Sequence, residues 1–460
     1  MPWRKPWFDP AHSPHDALER RAYEVWISEI MLQQTRVSVV IDYWNRWMAQ
    51  WPTIHDLAAA DVDDVVLAWR GLGYYSRARR IHEAAGVVVG DADLGGLLPA
   101  DPRELEARVP GVGRYTAGAI SSIVFGRAVP MVDGNVLRVL SRQLGIYGNV
   151  KSDKAVIDVM WAAADALVKA AAADGHAGED EDPETGRVSG VPGRWGQALM
   201  ELGSTLCTPK PDCEACPISA TCRAFNEGLD IARGPPKAGD NSRRKEGVDI
   251  EDLCGMCDTF EDVVTKEEEE EEEDSPRKRS LLDGKLTSTE LSTAIAHARK
   301  FPRKVIKKPV REEETVVCAI RRADGRYLLH RRPEKGLLAG LWELPSQTLP
   351  STGAGKAAAR KAAAVKYLDG LRRSGHAGMA DAVLRHAEDL GAIPWLFSHI
   401  KLTMHVHVFD ATFADEEVGS CDPDGRWRWE ESEVIDEESM GTGMRKCWAL
   451  AKEAAGGTYE

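Results

Sequence analysis

The sequence predicts two domains in series, an all-α domain followed by an α+β domain. Three observations carry this. Apolar residues recur at helical spacing over residues 21–233, with no strand-like alternation. Composition then shifts over residues 234–311 to charged, Pro- and Gly-containing sequence with too little apolar surface for a core. Beyond residue 314, short β-rich runs flank turn residues. At 460 residues, 43% of them hydrophobic, the chain is long enough for two packed cores. The expected limits are 1–233, 234–311 for a partly disordered linker, and 312–455.

Charge and cysteine usage bound the function. The net charge of −14 weighs against a nucleic-acid partner as an average. The acid is concentrated, however, in residues 179–184, 267–273 and 430–438, while a basic run persists at Arg77-Ala78-Arg79-Arg80. No apolar run approaches a membrane span, and MPWRKPW has no apolar leader core, so neither membrane nor secretion is expected. Of nine cysteines, four lie within residues 207–222 and two form Cys254-x-x-Cys257. Without a secretion signal, clustered cysteines favour metal ligation over disulfides.

Residues 1–20 are rich in Pro, His and Trp and are expected to be irregular. The first strong helix follows from Arg21, in RRAYEVWISEIMLQQTRVSVVIDYWNRWMAQW. Within it Glu29 has Trp26 and Ile30 beside it, and Val25 and Leu32 a turn away. Lost solvation there would raise the carboxyl pKa and keep it protonated near neutral pH, the alternative being a surface glutamate. Pro52, Gly71-Leu72-Gly73, Gly95-Gly96 and Pro99 divide the next residues into short helices, with Thr53 and Asp61 as caps.

At residues 109–138, VPGVGRYTAGAISSIVFGRAVPMVDGNVLR, Gly111 and Gly113 make a turn that opens an apolar helix over 116–125. Such a turn exposes backbone N–H groups at a helix N-terminus, where a phosphate binds; a plain helix–helix connection is the alternative. Asp133 reads either as a reactive carboxylate or as the N-cap of a helix over 136–141. A protonated acid paired with an ionised carboxylate is what N-glycosidic cleavage requires. Residues 174–193 interrupt a helical region as a disordered surface insertion. Cys207-x5-Cys213-x2-Cys216-x5-Cys222 suits a [4Fe–4S] cluster, with zinc open on chemistry alone. In the second domain, strands are expected at 315–320 and 326–330 around Asp324-Gly325, a helix at 355–373 and a strand at 399–413.

VPGVGRYTA followed by VDGNV resembles the helix-hairpin-helix DNA glycosylase superfamily, whose hairpin grips the DNA backbone, here through Gly111 and Gly113. Bifunctional members carry Lys where this chain has Tyr115, so the resemblance implies a monofunctional glycosylase. GLLAGLWELPS at 336–346 resembles the Nudix fold. Active Nudix hydrolases follow it with a Glu-rich, magnesium-holding helix, whereas GKAAARKAAAVKYL has no carboxylate. A lesion-recognition module is therefore expected.

The likeness narrows further. AYEVWISEIMLQQT, GLGYYSRARR, PGVGRYTAGAI, VDGNVLRVL, MELGSTLCTP and FSHIKLT resemble MutY-type adenine DNA glycosylases over residues 3–230 and 312–450, in the eukaryotic form by the long linker. That family removes adenine mispaired with 8-oxoguanine or guanine in double-stranded DNA. The resemblance makes Glu29 the acid that protonates adenine at N7, and Asp133 the group that stabilises the oxocarbenium ion. Tyr115 and Asn135 would hold Asp133, and Glu201 would order adenine and water. Trp3 and Arg4 would flank the adenine pocket. Gln34, Leu72 and Tyr74 would wedge into the stack around 8-oxoguanine, and Phe397, Ser398 and His399 would probe its face.

The family favours iron–sulfur at Cys207, Cys213, Cys216 and Cys222, although its first gap usually holds six residues and this one holds five. Mammalian relatives bind zinc near Cys254 and Cys257 with a third Cys that is missing here; two reduced thiols are the alternative. VDIED at 248–252 resembles a linker element that binds the checkpoint sliding clamp, with a solvated acidic loop as the alternative. SPRKRS at 275–280 reads as a nuclear localisation patch, a pattern with many false positives. The nucleus is the expected compartment, the mitochondrion a second, and a monomer the expected state. The chain begins at the PWR element without the helix that normally precedes it, and Gly196 stands where relatives usually have Asn. Another mismatch glycosylase shares the hairpin, Asp and cluster, but the FSH loop and Nudix-like domain argue against it. Retained Glu29 and Asp133 argue against a non-catalytic DNA-binding or checkpoint scaffold.

Overall fold

The architecture is built around α1 (His15–Leu32), in which every residue over 21–31 is buried. A helix buried on every side over three turns sits inside a domain. It starts before Arg21 because Asp16 sits in its first turn and Leu18 already packs inward. The computed structural model describes residues 1–174, 188–234, 286–304, 310–333, 336, 338–350, 357–397, 400–413 and 425–456. They fall into two compact units. The first is Met1–Met48, Pro52–Ile54 and Val87–Ile306; the second is Ala49–Trp51, His55–Gly86 and Lys307–Glu460.

In the first unit the tryptophans lock α1 in place. Trp44, from α2 (Val37–Gln50), donates to the Glu24 carbonyl at 3.2 Å, and Trp47 to the Tyr23 hydroxyl at 2.9 Å. Trp3 is buried 6.0 Å from the Trp44 ring, and its carbonyl accepts from Arg21 at 2.6 Å. Buried Glu24 is compensated by Lys5 at 2.6 Å. Between α3 (Ile54–Ala59), α4 (Val62–Ala68) and α5 (Ser76–Gly90), which lie mostly in the second unit, and the hairpin helices comes α6 (Pro102–Arg108). The expected hairpin then forms. Gly113 caps α7 (Arg114–Ile123), Asp133 caps α8 (Gly134–Leu144), and α9 (Lys154–Asp174) and α10 (Gly190–Thr205) pack beside them. Residues 175–187, the heart of the expected insertion, lie outside the described residues.

After the cysteine loop comes α11 (Arg223–Arg233). The stretch expected as a linker contributes a further helix, α12 (Ser288–Ala298), which packs on α11. Thr287 and Glu290 form a capping box, and Ala294, Ala298 and Phe301 bury against Cys213, Cys222 and Phe225. Cys254, Cys257, VDIED, the acidic run and SPRKRS lie outside the described residues.

The second unit holds a seven-stranded sheet. Its strands are β1 (Arg311–Arg322), β2 (Tyr327–Arg331), β3 (Trp342–Glu343), β4 (Ser346–Thr348), β5 (Val383–Leu396), β6 (Ile400–Thr412) and β7 (Trp427–Glu430). The main path runs β3-β2-β1-β6-β5; β4 also pairs β1, and β7 also pairs β2. β1 and β6 are parallel, from Arg311↔Ile400 to Arg322↔Ala411. Helices cover both faces, so β1 is buried without a break over residues 315–320. Val316, Cys318 and Ile320 face Ala364 and Leu368 of α13 (Ala357–Ser374). Val317 and Ala319 share the opposite core with Cys447 and Trp448 of α15 (Thr442–Gly456), which follows the short α14 (Ser432–Glu437). Helix α13 stands where a Nudix hydrolase would carry its metal-binding glutamates, and its one acid is Asp369.

Candidate active site

Glu29 is only 5% exposed, which removes the surface reading. Burial pushes its carboxyl pKa up, a hydrogen bond from Tyr115 pulls it back, and the nearby Asp133 charge adds to the rise. The Tyr115 hydroxyl donates to Glu29 Oε2 at 2.7 Å and also meets Met200 Sδ at 3.0 Å. Its hydrogen bond therefore goes to Glu29, while Asp133, which the sequence paired it with, acts on it through its charge. Burial and the two carboxylates raise the Tyr115 pKa well above its ordinary value, so the phenol stays a donor.

Asp133 is the N-cap that its sequence allowed, and its second oxygen is held as well. One oxygen, Oδ1, caps α8 by accepting from the Asn135 and Val136 amides at 2.9 and 2.8 Å. The other, Oδ2, accepts from Asn135 Nδ2 at 2.8 Å, as expected for a residue that orients the carboxylate. Three donors at the N-terminus of α8 thus fix both oxygens of the carboxylate. Glu29 and Asp133 thus differ in environment, one buried among apolar groups and one set on a helix dipole.

A chain of contacts runs from Asp133 to the cysteine loop that sequence reasoning did not find. Arg138 Nη2 donates to Asn135 Oδ1 at 2.9 Å and to the Gly203 carbonyl at 2.6 Å, while its Nε donates to the Cys207 carbonyl at 2.8 Å. One turn on, Arg142 Nη1 reaches Cys207 Sγ at 3.2 Å and the Thr208 carbonyl at 2.7 Å. Arg142 Nε donates to the carbonyls of Ala298 and Phe301, tying α12 to the loop. Two arginines four residues apart, on the helix opened by Asp133, were the available signal.

Cys207, Cys213, Cys216 and Cys222 are free thiols that line one cavity with Val139, Leu206, Ile218 and Phe225. The four cysteines thus face one cavity with the five-residue first gap. Burial and mutual repulsion push Cys213 up to about 12 and Cys222 to about 11. Among the described residues no three His, Cys, Asp or Glu side chains are grouped to hold a single metal ion.

The remaining expected residues fall as follows. Arg4 and Glu201 form an ion pair at 2.6 Å at the surface, while Trp3 is buried. Gly113 has open space where a side chain would stand, and Gly111 has φ +83°, so the hairpin presents bare backbone. Gln34 is exposed with φ +58°. In the second unit Leu72 is buried and Tyr74 is half-exposed. The Phe397 amide donates to the Ile400 carbonyl at 2.8 Å, closing the turn between β5 and β6. Ser398 and His399 lie outside the described residues. Gly196 is also accounted for: a Cβ there would lie 2.7 Å from Met131 Cε, so Met131 fills the missing side chain's space.

Residues 27–163 match the HhH-GPD superfamily base excision DNA repair protein family, and residues 316–450 match the NUDIX domain family. Hairpin, buried acid and capped aspartate together define a base-excision glycosylase with a Nudix-type domain. The chain is 37% identical over 464 residues to the adenine DNA glycosylase of Mus musculus, covering 100% of this chain and 76% of that one. It is 37% identical over 465 residues to that of Homo sapiens, covering 100% and 72%, and 34% identical over 426 residues to that of Schizosaccharomyces pombe, covering 88% and 77%. The chain belongs to the adenine DNA glycosylase family.

Proposed function

We propose that this chain excises adenine opposite 8-oxoguanine, and more slowly opposite guanine, by hydrolysing the N-glycosidic bond without cutting the strand. The observation that carries it is the buried Glu29 carboxyl, held by Tyr115 near the Asp133 side chain. Glu29 gives its proton to adenine N7. The electron pair of the glycosidic bond leaves with the base, and the Asp133 carboxylate faces the positive charge left on the sugar until water adds. Flipping adenine out leaves a gap that Tyr74 fills. No lysine stands at position 115 to form a Schiff base.

Four thiols around one apolar cavity fit a [4Fe–4S] cluster, which spreads its thiolates one to each iron. Bound there, it would supply a rigid cross-link of the loop, while Arg142 and Arg138 pass that rigidity to Asn135 and Asp133. VDIED would serve as a sliding-clamp contact and SPRKRS as a nuclear address.

The test measures base release from duplexes with adenine opposite 8-oxoguanine, opposite guanine and in a normal pair. The proposal requires the order just given. Ser398→Ala with His399→Ala should reduce the 8-oxoguanine preference by roughly ten- to hundredfold, the worth of one or two specific hydrogen bonds. Equal release from all three duplexes would overturn it.

A further inference from the structure

The second compact unit contains residues 55–86 together with the Nudix-type sheet, so the turn bearing Leu72 and Tyr74 belongs to the same body as the lesion-reading domain. That turn is built against backbone preference. Gly71, Gly73 and Tyr74 have φ of +99°, +71° and +49°, and a left-handed tyrosine must be held by its surroundings. Locally, Arg77 Nη2 donates to the carbonyls of Leu72 and Gly73 at 3.1 and 3.0 Å, and Trp69 Nε1 donates to Gly73 at 3.1 Å. The Arg77 guanidinium also lies 5.5 Å from the centre of the Tyr74 ring.

The helices on either side of the turn are fastened to one point of the sheet domain. Asp63, in the first turn of α4, accepts from Arg331 at 2.7 Å. Arg79, in α5, donates to the Gly340 carbonyl at 3.0 Å, and Arg331 Nε donates to the same carbonyl at 3.2 Å. Arg79 also stands 3.9 Å from the Asp63 carboxylate. Arg331 lies over the buried Trp342 ring. Gly340 has φ +68°, and a Cβ there would be 2.5 Å from Arg79 Nη2 and 2.6 Å from its Cζ. The glycine in GLLAGLWELPS therefore does more than turn the chain: its missing side chain is the space that the arginine occupies.

We propose that Asp63, Arg79, Arg331 and the Gly340 carbonyl form a knot that couples the wedge turn to the lesion-reading domain, making Asp63 and Arg331 positioning residues for opposite-base discrimination. This rests on the reading that the Nudix-type domain recognises 8-oxoguanine. Reading the lesion then fixes the point from which Tyr74 enters the stack. Asp63 and Arg331 are partly exposed, so replacing them leaves both cores intact.

The experiment is single-turnover adenine release opposite 8-oxoguanine and opposite guanine, with the ratio of rates as readout. Asp63→Asn and Arg331→Met should each lower the ratio by about three- to tenfold, the scale of loosening a partly exposed ion-pair network. The pair together should do no more than either alone, because they break one knot. Arg331→Lys, which still reaches Asp63, should recover most of the loss. In a Ser398→Ala, His399→Ala background the same changes should lower the ratio no further, since nothing is then left to couple. Ratios within twofold of wild type, or a fall that persists in the alanine background, would overturn the inference. A wild-type chain with no preference for 8-oxoguanine would sink the lesion-reading assignment itself.

Discussion

Replacing Glu29 with Gln separates chemistry from stability in one side chain. The carboxyl is 5% exposed, and among the described residues its one hydrogen bond comes from Tyr115 at 2.7 Å. Gln keeps an acceptor for that bond but has no proton to give. Loss of a general acid is worth about 10²–10⁴-fold in rate, and adenine release should fall by at least that much. Stability should move the other way. Burial raises the folded-state pKa above the ordinary value of 4.5, so the unfolded chain ionises first as pH rises. Wild type therefore has its full stability below 4.5 and loses some as pH climbs through the raised value. Gln loses none. An ionised carboxylate with one hydrogen bond in an apolar setting costs about 1–2 kcal/mol, so the variant should melt roughly 2–8 °C higher at pH 8 and level with wild type near pH 4. Wild-type release should also decline as pH rises, because the acid must be protonated. Adenine release within tenfold of wild type would refute the acid assignment. A lower melting temperature at pH 8 would refute the desolvation argument.

Asp133→Asn should abolish release and keep duplex binding, since Asn caps a helix as well as Asp; Asp133→Ala should in addition lower stability by about 1 kcal/mol in thermal melts. Gly196→Asn should meet Met131 and cost about 1–3 kcal/mol, with Met131→Ala in the same chain restoring most of it; unchanged melting of the single variant would defeat the steric account. The purified chain should be brown, with a broad absorbance near ~400 nm that Cys213→Ser removes along with soluble yield; colourless, zinc-loaded, fully active protein would count against the cluster. Borohydride should trap little enzyme–DNA adduct, because Tyr115 offers no amine; trapping that vanishes in Tyr115→Phe would contradict a monofunctional enzyme.

Much of the site was legible because it rests on local pattern. Glu29 sits among large apolar residues within one helix, and its burial follows from them. The glycine turn and Asp133 are start signals for α7 and α8, read from residues within four positions. Long β5 escaped detection because Gly391, Pro394 and the two acids Glu388 and Asp389 blur its alternation. An edge strand half in solvent tolerates all of these, and its pairing with β6 shifts register twice. Helix α12 escaped because its apolar stripe is short and sits in a polar stretch; its partner α11 supplies what its own composition lacks.

The sequence by itself determined the two domain types, the burial of Glu29, the capping by Asp133 and the four-cysteine loop, since each depends on neighbours along the chain. Tertiary structure alone decided that Tyr115 serves Glu29, that Arg138 and Arg142 join Asp133 to Cys207, and that Arg79 lies against Gly340, 261 positions away. Those pairings depend on which remote surfaces meet when the cores close. A chain fixes its local dihedrals and hydrophobic period residue by residue, but the partner of a long polar side chain is set only by packing.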